Sequence, residues 1–439
     1  MAEAERPITH GRVLKIALPI VLSNATVPIL GAVDTGVIGQ LGQAAPIGAV
    51  GVGAVILSTL YWVFGFLRMG TTGLTGQAAG AGRDGEVTAL LVRALMIGVA
   101  AGAGIIALQA LLFLGAFAIT PASDEVEALA RDYMAIRVWS APAAIALYGI
   151  NGWLIALERT RSVLLIQLWM NGFNIVLDLW FVLGLGAGVT GVAWATFIAE
   201  WSGLGFALWL CRGAFANPAW RDWARVFDAK AVRHMMGVNT DILLRSLALM
   251  TIMTSFTLLG ARFGDVVLAA NHVLMQFISI IAFALDGFAF AVEALVAGAF
   301  GARSVPRIRR AIWLSSIWAG IGAVLLAAVF WIFGGAIIDL MATAPGVRLE
   351  ARDYLAYMVL APLVGLPAWM LDGIFIGATR GRDMRNMMAI SALVYAGCVM
   401  AFLPVFGNDG LWLALLLSFV VRGVTLGSRY PGLERAAAG

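Results

Sequence analysis

Apolar residues run through this chain in long blocks separated by short polar gaps. Twelve blocks stand out, at roughly 14–40, 47–79, 94–119, 130–157, 162–184, 187–211, 233–260, 267–300, 308–338, 352–378, 386–406 and 409–428. A helix of about 20 mostly apolar residues crosses the hydrocarbon core of a bilayer, whereas membrane β-strands read as shorter alternating segments. No such alternation is evident, so the pattern predicts an all-α polytopic membrane protein with twelve transmembrane helices. Gly, Ala and Leu dominate the blocks, which suits close helix packing in lipid. The opening MAEAERPITHGR is polar, and no small-residue cleavage site precedes the second block. The first block is therefore read as a retained span rather than a secretory signal.

The blocks also repeat. ARDY occurs at 130–133 and again at 351–354, 221 residues apart in a chain of 439. At the same offset YGINGWLIALERTRSV (148–163) faces WMLDGIFIGATRGRDM (369–384), aligning Gly152 with Gly373, Arg159 with Arg380 and Arg161 with Arg382. GVTGVAWAT (188–196) loosely faces GNDGLWLAL (407–415). Six spans per half give both halves the same orientation, a parallel repeat about an axis along the membrane normal. The expected division is an N-lobe at 1–211 (spans 1–6), a cytoplasmic linker at 212–230 and a C-lobe at 231–439 (spans 7–12). Two such bundles around a central cavity are transporter architecture. ARDY itself falls at the outer start of spans 4 and 10, where Arg and Asp would anchor a helix end and Tyr would join the interfacial aromatic belt.

Composition narrows the class. The chain is 61% hydrophobic and 12% charged, against about 25% charged for a soluble domain. Its net charge of +4 would suit a nucleic-acid partner, but position argues otherwise. With the N-terminus inside, 22 of the 29 Lys and Arg fall in the tails and inside connections, four lie outside, and Arg68, Arg137 and Arg245 lie within spans. That asymmetry follows the positive-inside rule. It predicts a multi-pass plasma (bacterial inner) membrane protein with cytoplasmic termini and no nucleic-acid partner. The two cysteines, Cys211 and Cys398, sit in or beside spans and form neither a disulfide framework nor a metal cluster.

Charges inside spans locate candidate chemistry. A carboxylate at the centre of a span costs about 2.5–3.5 kcal/mol on insertion scales and is a functional candidate by default. Asp34 in span 1 and Asp178 in span 5 each lie six residues before the estimated outer end of their span, roughly 9 Å deep at 1.5 Å per residue. Asn174 sits one turn before Asp178 on the same helix face. Thr196 enters span 6 to a similar depth. Two carboxylates held together away from water cannot both stay charged cheaply, and their titrations are coupled. Such a pair binds a proton, or binds Na⁺ with help from the Asn and Thr oxygens, since hard cations favour oxygen ligands. Pro19 and Pro28 interrupt span 1 and predict a bendable helix. Arg68, Glu200, Asp286, Glu293 and Asp372 are candidates for a substrate cavity or a second ion site. Asp241 and Arg245, four residues apart, are expected to pair along their helix.

These runs together resemble the MATE (multidrug and toxic compound extrusion) family, in its DinF-like branch. The resemblance rests on LPIVLSNATVPILGAVDTGVIGQLG, FGFLRMGTTGLTGQAAG, GVTGVAWAT, NTDILLRSLAL and AANHVLMQFISIIAFALDGFAFAVEALVAGAFG, and it covers nearly the whole chain. It implies two six-helix lobes that export organic cations or other toxic compounds against inward H⁺ or Na⁺. It implies an N-lobe ion site at Asp34, Asn174, Asp178 and Thr196, with Asn151 as a further contributor, a bending proline at Pro19, and a candidate C-lobe carboxylate at Asp372. The substrate expected is a small cationic amphipath, with the lipid bilayer as surroundings, no cofactor and no obligate protein partner.

Two other readings are weaker. A flippase of lipid-linked or anionic metabolites would need several cationic residues within spans, where only Arg68, Arg137 and Arg245 are expected. A membrane-embedded enzyme such as a prenyltransferase needs clustered carboxylates for Mg²⁺ and diphosphate, and NGFNIVLDLW offers one. No H-E-x-x-H or G-x-S-x-G motif is present.

Overall fold

The structure, a computed structural model, describes residues 7–40, 42–119 and 123–438. Arg6, counted above among the inside cations, lies outside the described residues. Twelve long helices follow one another: α1 (His10–Gly39), α2 (Ala44–Gly80), α3 (Asp84–Ile119), α4 (Asp124–Ala156), α5 (Thr160–Gly184), α6 (Gly188–Leu210), α7 (Ala229–Phe263), α8 (Asp265–Gly301), α9 (Val305–Met341), α10 (Leu355–Gly377), α11 (Gly381–Phe406) and α12 (Asn408–Ala438). Each apolar block falls on one helix, and no strand occurs among the described residues. Eleven of the helices are long and apolar enough to cross a membrane. The remaining one, α6, carries Glu200 and the tryptophans Trp194, Trp201 and Trp209, which lower its hydropathy. Exposed apolar side chains such as Trp313, Leu325 and Trp331 on α9 are the surface a bilayer covers.

Contacts divide the chain into two compact units. One comprises Leu22–Thr75 and Arg83–Arg233; the other comprises His234–Gly439 with Met1–Val21 and Gly76–Gly82. In the first, α4 is the most enclosed helix, and Gly98 and Gly102 of α3 lie so close to the Pro142–Ala146 backbone that a Cβ has no room. In the second, the buried aromatics pair edge to face, Phe256 with Trp412 at 4.5 Å and Phe277 with Phe330 at 4.8 Å. The Trp412 indole N–H donates to Asn271 Oδ1 (2.9 Å), and the Asn271 and Asn408 amides bond reciprocally at 2.7 and 2.9 Å. The start of α1 belongs here because Arg310 donates to Ile8 O (2.7 Å) and Trp318 to His10 Nδ1 (3.1 Å).

The duplication is written in the backbone as well. Left-handed residues close helices at Gly82, Glu158 and Gly186, and again 221 residues later at Arg303, Thr379 and Gly407. Positive φ is uncommon for residues other than glycine, so Glu158 (φ 57°) and Thr379 (φ 53°) at equivalent positions mark a shared chain path. In both loops the next residue donates back across the turn, Arg159 to Leu154 O (2.8 Å) and Arg380 to Phe375 O (2.9 Å).

The two ARDY copies part company. Arg131 pairs with Glu127 (2.6 Å) near the start of α4, and Arg352 pairs with Asp339 (2.6 Å) from a short helix, Pro345–Asp353, ahead of α10. Tyr133 does not join an interfacial belt. It is buried, with its hydroxyl accepting from Arg137 Nε at 3.4 Å, because α4 is the central helix of its unit. The 212–230 linker forms three short helical turns. Arg93 ties it down by donating to Val226 O (2.8 Å) and Arg225 O (2.6 Å). Asp222 caps the last turn; bonds from the Arg225 N–H and guanidinium hold its carboxyl below the usual range.

Candidate functional site

In the first unit, α5 presents Gln167, Asn171, Asn174 and Asp178 at spacings of four, three and four, which places them on one helix face. The two ends of that stripe differ in partners. Gln167 donates to Asn171 Oδ1 (2.9 Å), and Asn171 donates to Thr26 Oγ1 of α1 (2.9 Å). One turn on, Asn174 and Asp178 are fully buried and face Asp34 of α1 and Thr196 of α6.

The Asn174 amide satisfies its neighbours in one orientation. Its nitrogen then donates to Asp178 Oδ2 (3.0 Å) and Asp34 Oδ1 (3.2 Å), and its oxygen accepts from the Thr196 N–H (3.2 Å) and hydroxyl (3.0 Å). The Thr196 hydroxyl also lies 3.0 Å from Val192 O, so its single proton serves two acceptors. Asp34 and Asp178 therefore meet at the same Asn174 amide group, and two carboxyl groups held together away from water are costly to keep doubly charged. Asp178 Oδ1 is buried and meets no donor among the described residues. Just beyond Asp178, the chain widens into a π-type turn over Leu179–Gly184, closed by Leu185 N–H to Trp180 O (2.9 Å). Such turns recur at functional sites.

Arg137 of α4 lies in the same unit. Arg137 is itself engaged: it grips Glu200 of α6 with two nitrogens (2.7 and 3.2 Å) and donates to Ser140 Oγ (2.7 Å). Glu200 is thereby placed in a buried ion pair. Asn151 makes none of these bonds; it sits on α4 with a buried Oδ1 that meets no donor among the described residues. Arg68 lies on α2 after a tight turn at Val63–Gly65, its carbonyl accepting from Thr72 (2.9 Å) and covered by Gly152. Pro19 and Pro28 both lie inside a continuous α1.

In the second unit, Asp286 is half-buried and Glu293 fully buried on α8. The expected Asp241–Arg245 pair does not form. Asp241 takes Arg385 of α11 (2.6 Å), and Arg245 takes Asp372 of α10. The reason is energetic: an exposed i,i+4 pair contributes about 0.3–0.5 kcal/mol, whereas a buried guanidinium left without a carboxylate is strongly destabilising. Arg422, one of the 22 cations expected in the tails and inside connections, lies instead in the interior. It is 2% exposed within α12 and stands 3.7 Å from Asp372. The signal was available, since Arg422 interrupts the apolar run LALLLSFVVRGVTL. Arg137–Glu200 was harder to find, because nothing in sequence spacing links residues 63 apart.

Comparison with known proteins fits this picture. The sequence model of the MatE family matches the chain twice, over residues 19–180 and 242–402. DNA damage-inducible protein F of Escherichia coli (strain K12) is 40% identical over 421 residues, covering 94% of this chain and 90% of that protein. A probable multidrug resistance protein NorM of Synechococcus is 25% identical, covering 93% and 91%. Among solved structures, the Vibrio cholerae MATE transporter VcmN in the bent form superposes with a TM-score of 0.88 at 19% identity, covering 98% of this chain and 97% of that one.

Proposed function

Since this chain belongs to the MATE family of multidrug and toxic-compound efflux transporters, we propose that it is a secondary active antiporter that exports amphipathic substrates, organic cations first among them, in exchange for inward protons held at Asp34 and Asp178. The observation that carries the reading is the meeting of two carboxyl groups, Asp34 and the fully buried Asp178, at the Asn174 amide, which lies 3.2 and 3.0 Å from them. Two carboxyl groups held together away from water cannot both stay charged cheaply, so the pair is suited to keep a proton.

On this reading the outward state takes a proton at the pair, and the neutralised pair closes on Asn174. Release of the proton toward the cytoplasm leaves a negative pair that draws in a cationic substrate. The chain passes from one compact unit to the other between Val21 and Leu22, within the stretch bounded by Pro19 and Pro28, so bending there would move the Asp34 end of α1. One pH unit supplies about 1.4 kcal/mol per proton, and about 2.3 kcal/mol comes from each charge crossing 100 mV. The same reading places the protein in the bacterial inner membrane with both termini cytoplasmic. The test is ethidium efflux from proteoliposomes under an imposed pH gradient or an imposed Na⁺ gradient. Efflux under the pH gradient alone, lost in Asp34→Asn, is expected. Efflux under Na⁺ alone would overturn the choice of ion, and no efflux under either would overturn the cationic-substrate class.

A further inference from the structure

The second unit buries more positive than negative charge at one point. Arg245 of α7, Asp372 of α10 and Arg422 of α12 are 7%, 6% and 2% exposed. Among the described residues, the ion pairs of both arginines end on Asp372. One carboxylate therefore faces two guanidinium groups. The Arg245 guanidinium donates to Asp372 Oδ2, but Arg245 Nε, Arg422 Nε and Arg422 Nη2 are buried and meet no hydrogen-bond acceptor among the described residues. Arg422 also stands over the Phe419 ring at 5.8 Å, a weak substitute for an anion. A guanidinium is not deprotonated in proteins, so the cluster cannot shed its surplus charge by titration. A buried, uncompensated charge is strongly destabilising. The three guanidinium nitrogens left unsatisfied beside it are donors that lack an acceptor.

The geometry points to an anion site: the Arg245–Asp372–Arg422 cluster binds a monovalent anionic group, supplied either by a free halide ion or by the carboxylate of an amphipathic substrate. The anion accepts from Arg245 Nε and from Arg422 Nε and Nη2, competing with Asp372 for the two guanidinium groups. Two arginines already neutralise Asp372, so the cluster lacks the net negative charge that a second cation site there would need. This inference stands apart from the proton reading, since it concerns different residues in the other unit.

The test uses purified full-length protein. The thermal unfolding midpoint is measured in bromide and in gluconate at equal ionic strength, and crystals grown in bromide are examined for anomalous density at the cluster. A second arm compares naproxen, an amphipathic carboxylate, with its uncharged methyl ester. The expected result is a higher midpoint in bromide than in gluconate, or with naproxen than with its ester, and loss of that difference in Arg422→Gln. Asp372→Asn moves the other way. With the competing carboxylate gone, the half-saturating anion concentration falls by about tenfold or more, since adjacent charges interact by well over the energy of one decade. A purely structural salt bridge predicts no such tightening, and the Asp372→Asn comparison still decides if Arg422→Gln fails to fold. A response to bromide identifies a halide, and a response to naproxen alone identifies a substrate carboxylate. Equal midpoints in both arms, in wild type and in Asp372→Asn, would overturn the inference. Asp34→Asn is expected to keep the anion response while losing proton-driven efflux, so the two proposals fail separately.

Discussion

The two halves of the chain share a backbone path and oppose each other in buried charge. The left-handed closures at Gly82, Glu158 and Gly186 recur at Arg303, Thr379 and Gly407. At the same 221-residue offset, Asp34 becomes Ser255, Asp178 becomes Val399, Asn151 becomes Asp372, and Arg422 stands where the first unit has Trp201. One unit gathers two carboxyl groups around an amide donor; the other gathers two guanidinium groups around a carboxylate. The lesson is that backbone closure tolerates little change after duplication, while buried charge can be exchanged wholesale.

The largest expected break in this comparison is Asp178→Asn. It removes one of the two carboxyl groups proposed to carry the proton and leaves the second unit untouched, so proton-driven efflux should fall to the leak rate while the fold persists by circular dichroism. Next is Arg137→Met, which strands Glu200 in a dry interior and should destabilise by about 3–5 kcal/mol in chemical unfolding. The double variant Arg137→Met/Glu200→Met should recover most of that stability. If it recovers transport too, the pair is scaffolding for the dyad; if stability returns and efflux does not, Arg137 also acts on the carboxyl pair.

Smaller effects sharpen the contrast. Asn271→Leu in the second unit leaves Trp412 Nε1 and the Asn408 amide without their partner and should cost about 1–3 kcal/mol, with little change in efflux per folded molecule. The smallest effect concerns Asp222 in the linker. Its folded pKa is depressed by bonds from Arg225, so its contribution is present above the unfolded pKa and is lost as pH falls through the folded value. Asp222→Ala, or wild type at strongly acidic pH, should speed hydrogen exchange at amides 223–226 and change nothing near the dyad.

The sequence made the helices, the duplication and the dyad legible, because each rests on periodicity or depth. Asp34 and Asp178 could be matched by equal distance from their span ends, and Asn174 by its helical turn. What escaped were partnerships across helices. Arg245 has Asp241 one turn away, yet pairs with Asp372 on another helix; Glu200 reaches Arg137 on α4. Burial chooses those partners, and burial is a tertiary property. Thr26, Asn171 and Gln167 were visible in principle, since Gln167 and Asn171 continue the Asn174–Asp178 stripe at helical spacing.

The central claim, that the dyad holds a proton which substrate displaces, is tested most directly by proton release. Ethidium is added to weakly buffered, purified protein near neutral pH while an indicator follows acidification. The account predicts release approaching one proton per transporter in wild type and none in Asp178→Asn, with no dependence on Na⁺. Equal release from both proteins, or binding that frees no proton and is instead competed by Na⁺, would contradict it.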